Sequence, residues 1–312
     1  MPSQLPLVSV LMLTHNHGAY LQQAIASVQA QSLQAWELLI GEDASSDDTA
    51  TIAHAAAAGD GRIRVFTSPG GALGFHHNFA RLLAAAQAPY VAFLEGDDWW
   101  SEPRKLDLQV ALLEQDSSLA FCGGHTTVVD QRPDPGPHAA SIGPAPGRMR
   151  LAMADLIRAY SFHFSSVLMR RQAVELPRWI FRQYCLDRPL YLLAARHGDA
   201  GVIDAEISVY RLHGGGAWAP LNPVEKARRS QQLFTELKRQ LPAQRRLFTR
   251  TLSRILWSYL AEAFTAQKPG AAARILAMAV LAAPGLRLVS ELSLTLAATR
   301  RLVMLPLRTA KP

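Results

Sequence analysis

Cysteine is nearly absent from this chain. Two residues in 312, Cys122 and Cys185, cannot build a disulfide framework or a cysteine-rich zinc module. Long apolar runs are missing as well. None reaches the ~18 residues that would span a bilayer, and the best candidate, residues 275–283, stops at Pro284. The first 13 residues are apolar but carry no basic leader and no small-residue cleavage pattern, so no signal peptide is expected and a cytoplasmic location is inferred. No internal repeat stands out. With 49% hydrophobic and 18% charged residues, the composition excludes a disordered or collagen-like chain. It allows one large α/β domain with an appendage, or two ordinary domains.

Aspartate is lacking in one region only. Residues 221–312 hold 16 Lys/Arg and 4 Glu with no Asp, a net charge of +12, which leaves −5 on residues 1–220 out of the total of +7. An acidic front and a basic tail point to two tasks, a site that holds a cation and a surface drawn to something anionic.

Residues 1–125 alternate apolar runs with helix-length segments. Strands are expected at 7–13 (LVSVLML), 36–40, 63–66, 90–94 and 119–122, and helices at 19–31, from Ser46 or Asp47 through 58, at 75–87, and from Ser101–Pro103 to about 115. This rhythm predicts an α/β fold with an open, mostly parallel sheet flanked by helices. Residues 132–147, with five prolines and three glycines, must be a loop. Beyond it a helix is expected at 149–160, a strand at 165–169, a helix at 186–197, a strand at 202–210 and a hinge at 214–216. After Pro223 the chain is almost all helix former, broken at Pro242, Pro269–Gly270 and Pro284–Gly285.

Ligands of open α/β sheets sit beyond the carboxyl ends of the strands. Glu42 and Asp43 fall just past the second strand, and Glu95, Asp97 and Asp98 just past the fourth. With the first strand between them, the clusters lie about 10 Å apart, two interstrand spacings, which suits a nucleotide. Carboxylates crowded at one strand end raise each other's pKa unless a cation joins them, and Mg²⁺ or Mn²⁺ suits such ligands better than zinc. The plainer reading is that Asp97–Asp98 opens a turn and caps the next helix. Trp99–Trp100 reads as packing rather than sugar stacking. His15, His17, His76 and His77 lack the company of a closed metal site and are read as surface or polar-core residues.

At these residues the chain resembles the inverting family 2 glycosyltransferases, with their nucleotide-binding GT-A fold. The matching pieces run in family order: VSVLMLTHNHGAYL from Val8, ELLIGEDASSDDT from Glu37, GFHHNFARLLAAAQAPYVAFLEGDDWWSEPRKL from Gly74, SSVLMRR from Ser165, LDRPLYLLAARHG from Leu186 and VYRLHGGG from Val209. The resemblance implies that Asp43 contacts the donor base, usually uracil, beside the loop containing Leu13 and Asn16. It implies that Glu95-Gly96-Asp97-Asp98 stands for a DxD-type motif for metal and diphosphate, Glu replacing the first Asp, with Asp97 and Asp98 as metal ligands. His213 matches a position that can approach the metal or diphosphate. Asp187 aligns with the catalytic base, although Leu186 and Arg188 depart from the usual neighbours. The QxxRW motif of processive synthases is absent after Asp187, and ELPRW (residues 175–179) echoes it only on the wrong side, so single-sugar transfer is implied.

The expected organisation is a GT-A-like domain over residues 1–220, with a nucleotide-binding half (1–125) and an acceptor-side half (126–220), and a basic amphipathic helical region over 221–312. The expected partners are a nucleotide-sugar donor and a glycan or lipid-linked acceptor. In the tail, Arg228, Arg229, Lys238, Arg239, Arg245, Arg246, Arg250 and Arg254 interleave with Leu233, Phe234, Leu237, Leu247, Phe248, Leu252, Ile255 and Leu256. That pattern fits a peripheral element at the inner face of the plasma membrane, or equally a helical bundle with a solvated basic face. A homodimer through the tail is open, whereas no nucleic-acid motif accompanies the charge, so no nucleic-acid partner is expected. Two other function classes stay open: an inactive relative serving as a membrane-associated assembly scaffold, and a nucleotidyltransferase. The latter would want a basic, Gly-rich loop after the first strand, and THNHG (residues 14–18) has no Lys or Arg.

Overall fold

The computed structural model describes residues 5–132, 140–215 and 221–282. Part of the Pro/Gly loop, the end of the expected 214–216 hinge, the junction at residue 220, the break at Pro284–Gly285 and the last thirty residues lie outside that description. The chain divides into two compact units, Met1–Gly216 and Ala217–Pro312.

In the first unit, β1 (Val8–Thr14) is buried along its whole length, as its unbroken apolar run requires of a central parallel strand. It lies parallel between β2 (Trp36–Glu42) and β4 (Tyr90–Glu95), and β3 (Ile63–Phe66) closes that edge beside β2. Helices α1 (Leu21–Gln29), α2 (Thr49–Gly59) and α3 (Phe75–Ala85) make the crossovers, and α4 (Lys105–Gln115) follows β4. Val8, Val10 and Met12 pack on Leu21, Ala24, Ile25 and Val28 of α1, while the alternate face carries Phe79 of α3 against Phe93 of β4, ring centroids 5.4 Å apart. Each such side chain contributes about 1.5–3 kcal/mol through burial, so the register of β1 is firmly set.

The sheet continues through β8 (Leu168–Arg170), antiparallel to both β4 and β5 (Leu119–Asp130), and then β9 (Asp199–Leu212), parallel to β5. The full order is β3-β2-β1-β4-β8-β5-β9-β7, with β6 (Ser141–Ile142) beside β5 and β7 (Arg150–Leu151) beside β9. This is the mostly parallel sheet flanked by helices that the sequence pattern predicts. The expected helix at 149–160 shrinks to α5 (Met153–Arg158), because Arg150 and Leu151 pair with β9 instead. The expected strand at 165–169 starts as a 3₁₀ turn, Phe164–Ser166, and only then becomes β8. Helix α6 (Asp187–Ala194) precedes β9.

The second unit consists, within the described residues, of α7 (Pro223–Gln240), α8 (Arg245–Thr265) and α9 (Pro269–Ala282). Asn222 caps α7 by accepting a hydrogen bond from the Glu225 N–H at 3.0 Å, and Pro223 takes the first helical position. Leu233, Phe234 and Leu237 of α7 and Phe248, Leu252 and Leu256 of α8 are buried, and Phe234 meets Phe248 edge-on at 6.0 Å. Most of the apolar stripe is thus buried in packing, with Leu247 and Ile255 half-buried. Among the described residues, no helix is long and apolar enough to cross a membrane.

Candidate active site

Strand register places the two acidic clusters on one edge. Leu13 of β1 stands opposite Gly41 on one side and Glu95 on the other, and Thr14 stands opposite Glu42. The residues after β2 and after β4 therefore emerge together at the carboxyl end of the sheet. There the chain has turned back to place β4 on the far side of β1 from β2, which opens a crevice.

At the β2 side, Asp43 is 5% exposed and its carboxylate is largely filled by its own chain. It accepts hydrogen bonds from the Ser68 hydroxyl (3.0 Å), the Leu73 N–H (2.7 Å) and the Gly74 N–H (2.9 Å). A carboxylate has about four acceptor positions, so Asp43 holds the loop before α3 and keeps one position, on Oδ2, for a further donor. Asn16 adopts left-handed backbone geometry (φ 55°), which Asn tolerates, and its Oδ1 accepts from the Ser46 N–H at 2.8 Å. Leu13 is buried within β1.

At the β4 side, Gly96 allows a turn that a side chain would block, since a Cβ there would lie 2.7 Å from Thr14 Oγ1. Beyond it the two aspartates serve different neighbours. Asp97 Oδ2 accepts from His213 Nε2 at 2.9 Å, with His17 Nε2 at 3.5 Å. Burial pushes the Asp97 carboxyl up, but the His213 hydrogen bond and the two imidazoles outweigh it and leave the pKa below the usual value. Asp98, 1% exposed, accepts from Ser165 Oγ at 2.6 Å and from the Arg211 N–H at 3.1 Å, and lies 3.5 Å from His163 Nδ1. Burial, and then the Asp97 charge, raise its pKa well above the carboxylate range. Glu95 is raised likewise, by burial first and then by Asp97, Asp98 and Asp187. Asp187, the first residue of α6, thus comes within electrostatic reach of the end of β4 from 92 positions further along the chain.

The expected ligand set of Asp97, Asp98 and His213 does not meet at one point. Among the described residues, Glu95, Asp98 and His163 instead bring donor atoms within 4.8 Å of one another. Burial lowers His163 to about 4, keeping the imidazole neutral, with Nδ1 accepting a long hydrogen bond from the Ser165 N–H at 3.4 Å. Two carboxylates of raised pKa, Asp98 buried and Glu95 half-buried, beside a neutral imidazole form a set whose repulsion a divalent cation would relieve, so the residues fit Mg²⁺ or Mn²⁺. Sequence reading missed His163, His17, Ser165 and Arg211. His17 follows β1, Arg211 lies on β9, and His163 and Ser165 belong to the 163–166 turn, so only the fold brings the four together. Arg211 packs between Tyr20 and Trp99, 4.6 Å from each ring centroid, and donates to the Asp97 carbonyl at 2.9 Å. Trp100 is 4% exposed and donates to the Ser165 carbonyl, consistent with its reading as packing.

Comparison with known proteins gives this arrangement a context. The model of the family described as glycosyl transferase family 2 matches residues 9–176. An uncharacterized Mycobacterium tuberculosis protein is 28% identical over 214 residues, 68% of this chain and 60% of its own length. This chain therefore spans well under two thirds of that relative. EpsE of Bacillus subtilis, named provisionally as a glycosyltransferase, is 31% identical over 205 residues, 60% of this chain and 72% of EpsE. Among solved structures, S. aureus TarS with bound UDP-GlcNAc superposes with a TM-score of 0.63 at 15% identity, covering 89% of this chain and 81% of the TarS fragment. The Pyrobaculum calidifontis mannosyltransferase PcManGT, solved with GDP-Man and Mn²⁺, reaches 0.56 at 16% identity, covering 96% and 82%. At such identities the structural likeness speaks for the fold alone, and that fold is GT-A. The family match reaches from β1 past the end of β8 and takes in both acidic strand ends, so the chain belongs to glycosyl transferase family 2.

Proposed function

We propose that the protein is an inverting, divalent-cation-dependent glycosyltransferase. It moves one sugar from a nucleotide-diphosphate donor, a UDP-sugar by preference, to a hydroxyl of a glycan or lipid-linked acceptor in bacterial surface-polysaccharide assembly. The observation that carries this reading is the convergence of Glu95, Asp97, Asp98 and Asp187 at one sheet edge, with Asp43 two strands away. The nucleotides bound by TarS and PcManGT, and the Mn²⁺ of the latter, support the donor class and the cation.

Residue roles follow from chemistry. Asp43 fixes the wall of the base end by holding residues 68–74, and Leu13 and Asn16 shape the adjoining floor. Glu95, Asp98 and His163 would hold the cation, with Asp97 and His213 beside it on the diphosphate side. When bound, the cation neutralises charge on the leaving diphosphate. Asp187 takes the proton of the acceptor hydroxyl while that oxygen attacks the anomeric carbon. The bond to the diphosphate breaks with its electron pair, and configuration inverts in one displacement. A positioned base contributes about 10²–10⁴-fold. Residues 1–220 form the transferase domain, and 221–312 a region that meets anionic lipid through exposed cations.

The test is incubation of the full chain with UDP-, GDP- and dTDP-sugars, with and without Mn²⁺, reading donor binding and nucleotide release. Cation-dependent binding lost in Asp97→Ala, with release lost in Asp187→Asn, is the expected result. Binding without release under any condition would point to a scaffold. Pyrophosphate release from nucleoside triphosphates would point to nucleotidyl transfer and sink the proposal.

A further inference from the structure

One buried group in the first unit has no task in the roles above. Tyr191 stands on α6 one turn after Asp187, on the same helix face. It is 4% exposed, and its ring lies nearly parallel to Phe121 with centroids 5.7 Å apart. Its hydroxyl is enclosed and has no hydrogen-bond partner among the described residues. An unpaired buried hydroxyl costs stability that phenylalanine at the same place would avoid. Burial, followed by the charges of Asp187 and Glu95, raises its pKa and holds this phenol protonated, a donor within electrostatic reach of two carboxylates.

A second tyrosine covers the same spot. Tyr160 lies in the irregular segment after α5, 39% exposed. Its hydroxyl end lies close enough to Asp187, Tyr191 and Glu95 for them to raise its pKa, after the larger effect of burial. Tyr160 therefore stands near Asp187, whose Oδ1 accepts from the Arg188 N–H, and leaves Tyr191 unpaired.

We propose that Asp187 and Tyr191 together form the subsite for the acceptor hydroxyl, and that Tyr160 keeps its place until an acceptor arrives. This rests on Asp187 being the general base. A sugar hydroxyl in that position gives its proton to Asp187 and accepts a hydrogen bond from Tyr191 on one lone pair. The other lone pair is left to attack the anomeric carbon as the diphosphate departs with the bonding electrons. Tyr160, by standing beside Asp187 in the free protein, keeps water from being activated against bound donor. Tyr191 is in this scheme a positioning residue and Tyr160 a guard against hydrolysis.

Water, the smallest hydroxyl, serves as the probe. Nucleoside diphosphate release from the panel of UDP-, GDP- and dTDP-sugars is measured with Mn²⁺ for the full chain and three variants. Tyr191→Phe is expected to lower release about tenfold, the worth of roughly one hydrogen bond, through kcat rather than donor KM, while its urea midpoint stays equal or rises. Tyr160→Phe is expected to raise release about 3–10-fold. Unchanged release in Tyr191→Phe, a fall accompanied by a lower midpoint, or unchanged or reduced release in Tyr160→Phe overturns the inference. Asp187→Asn separates the two levels. If it abolishes release while both tyrosine variants behave as wild type, only the subsite fails. If it leaves release intact, or if the wild-type protein releases nothing from any donor, the base assignment fails and the subsite with it.

Discussion

At the scale of single residues, what the sequence made legible were the carboxylates, because strand ends and crossover order place them without help from the rest of the chain. What it hid were their partners. Ser165 is one serine among many in the sequence, yet its hydroxyl donates to Asp98 at 2.6 Å and its Oγ accepts from the Glu95 N–H at 3.3 Å, so it braces two of the three candidate ligands. His163 was equally invisible, since its value lies in burial that only the stacked Tyr210 ring, 4.3 Å away, reveals. Partners that orient metal-binding groups typically tune affinity about 10–100-fold. Ser165→Ala is therefore expected to weaken Mn²⁺ binding about tenfold or more. Free Mn²⁺ measured by electron paramagnetic resonance during titration of the full chain reads this without any turnover. An unchanged affinity would show that the cation sits elsewhere, nearer Asp97 and His213.

At the scale of elements, β1 to β4 and their helices could be read because each is a local pattern, an apolar run or a 3–4 spacing ended by a turn. The second half could not be read as well. Leu168–Arg170 is three residues long and is a strand only because β4 and β5 flank it, and Arg150–Leu151 is a strand only because β9 passes by. Two predictions belong here. Gly96→Ala drives a Cβ to within 2.7 Å of Thr14 Oγ1 at the junction of β1 and β4, and overpacking of this kind costs about 1–3 kcal/mol. Urea denaturation should show that loss, and an unchanged midpoint would mean the turn relaxes freely. On α4, Lys105 is fully buried, its Nζ 2.7 Å from Gln109 Oε1 and 4.1 Å from the Trp100 ring centroid, and burial lowers its pKa from 10.5 to about 7. Between those values the unfolded chain holds a proton that the folded chain lacks, so this residue makes stability rise with pH across that window and lowers it most below pH 7. Lys105→Met removes the dependence. From pH 10 to pH 6 the mutational change in stability should move about 4 kcal/mol in favour of Met, at ~1.4 kcal/mol per pKa unit. Parallel stability–pH curves for the two proteins would disprove the buried, neutral lysine.

At the scale of the whole molecule, the uneven charge is the feature with the longest reach. Most of the apolar residues in the α7 and α8 stripe are buried, which leaves little of it for insertion into lipid. Charge remains. Arg228 and Arg229 are engaged by Glu225, and Arg239 by Glu236, so these cations are partly neutralised within α7. Arg245, Arg246 and Arg250 stand exposed on the first turns of α8, and Phe264 and Leu281 are exposed apolar side chains further along, 62% and 76%. Each basic residue near an anionic surface is worth about 1 kcal/mol, and screening shortens its reach to ~10 Å at 0.1 M salt. The full chain is therefore expected to co-sediment with vesicles containing phosphatidylglycerol at low salt, to release at 0.5 M NaCl, and to ignore purely zwitterionic vesicles. The triple variant Arg245→Glu, Arg246→Glu, Arg250→Glu should lose most of that binding, while its nucleotide release from a water-soluble donor stays at the wild-type level. Binding that survives both the salt and the charge reversal would assign attachment to apolar contact instead. No binding under any condition would leave the basic region a solvated bundle face, and a lipid-linked acceptor would then have to reach Asp187 without help from 221–312.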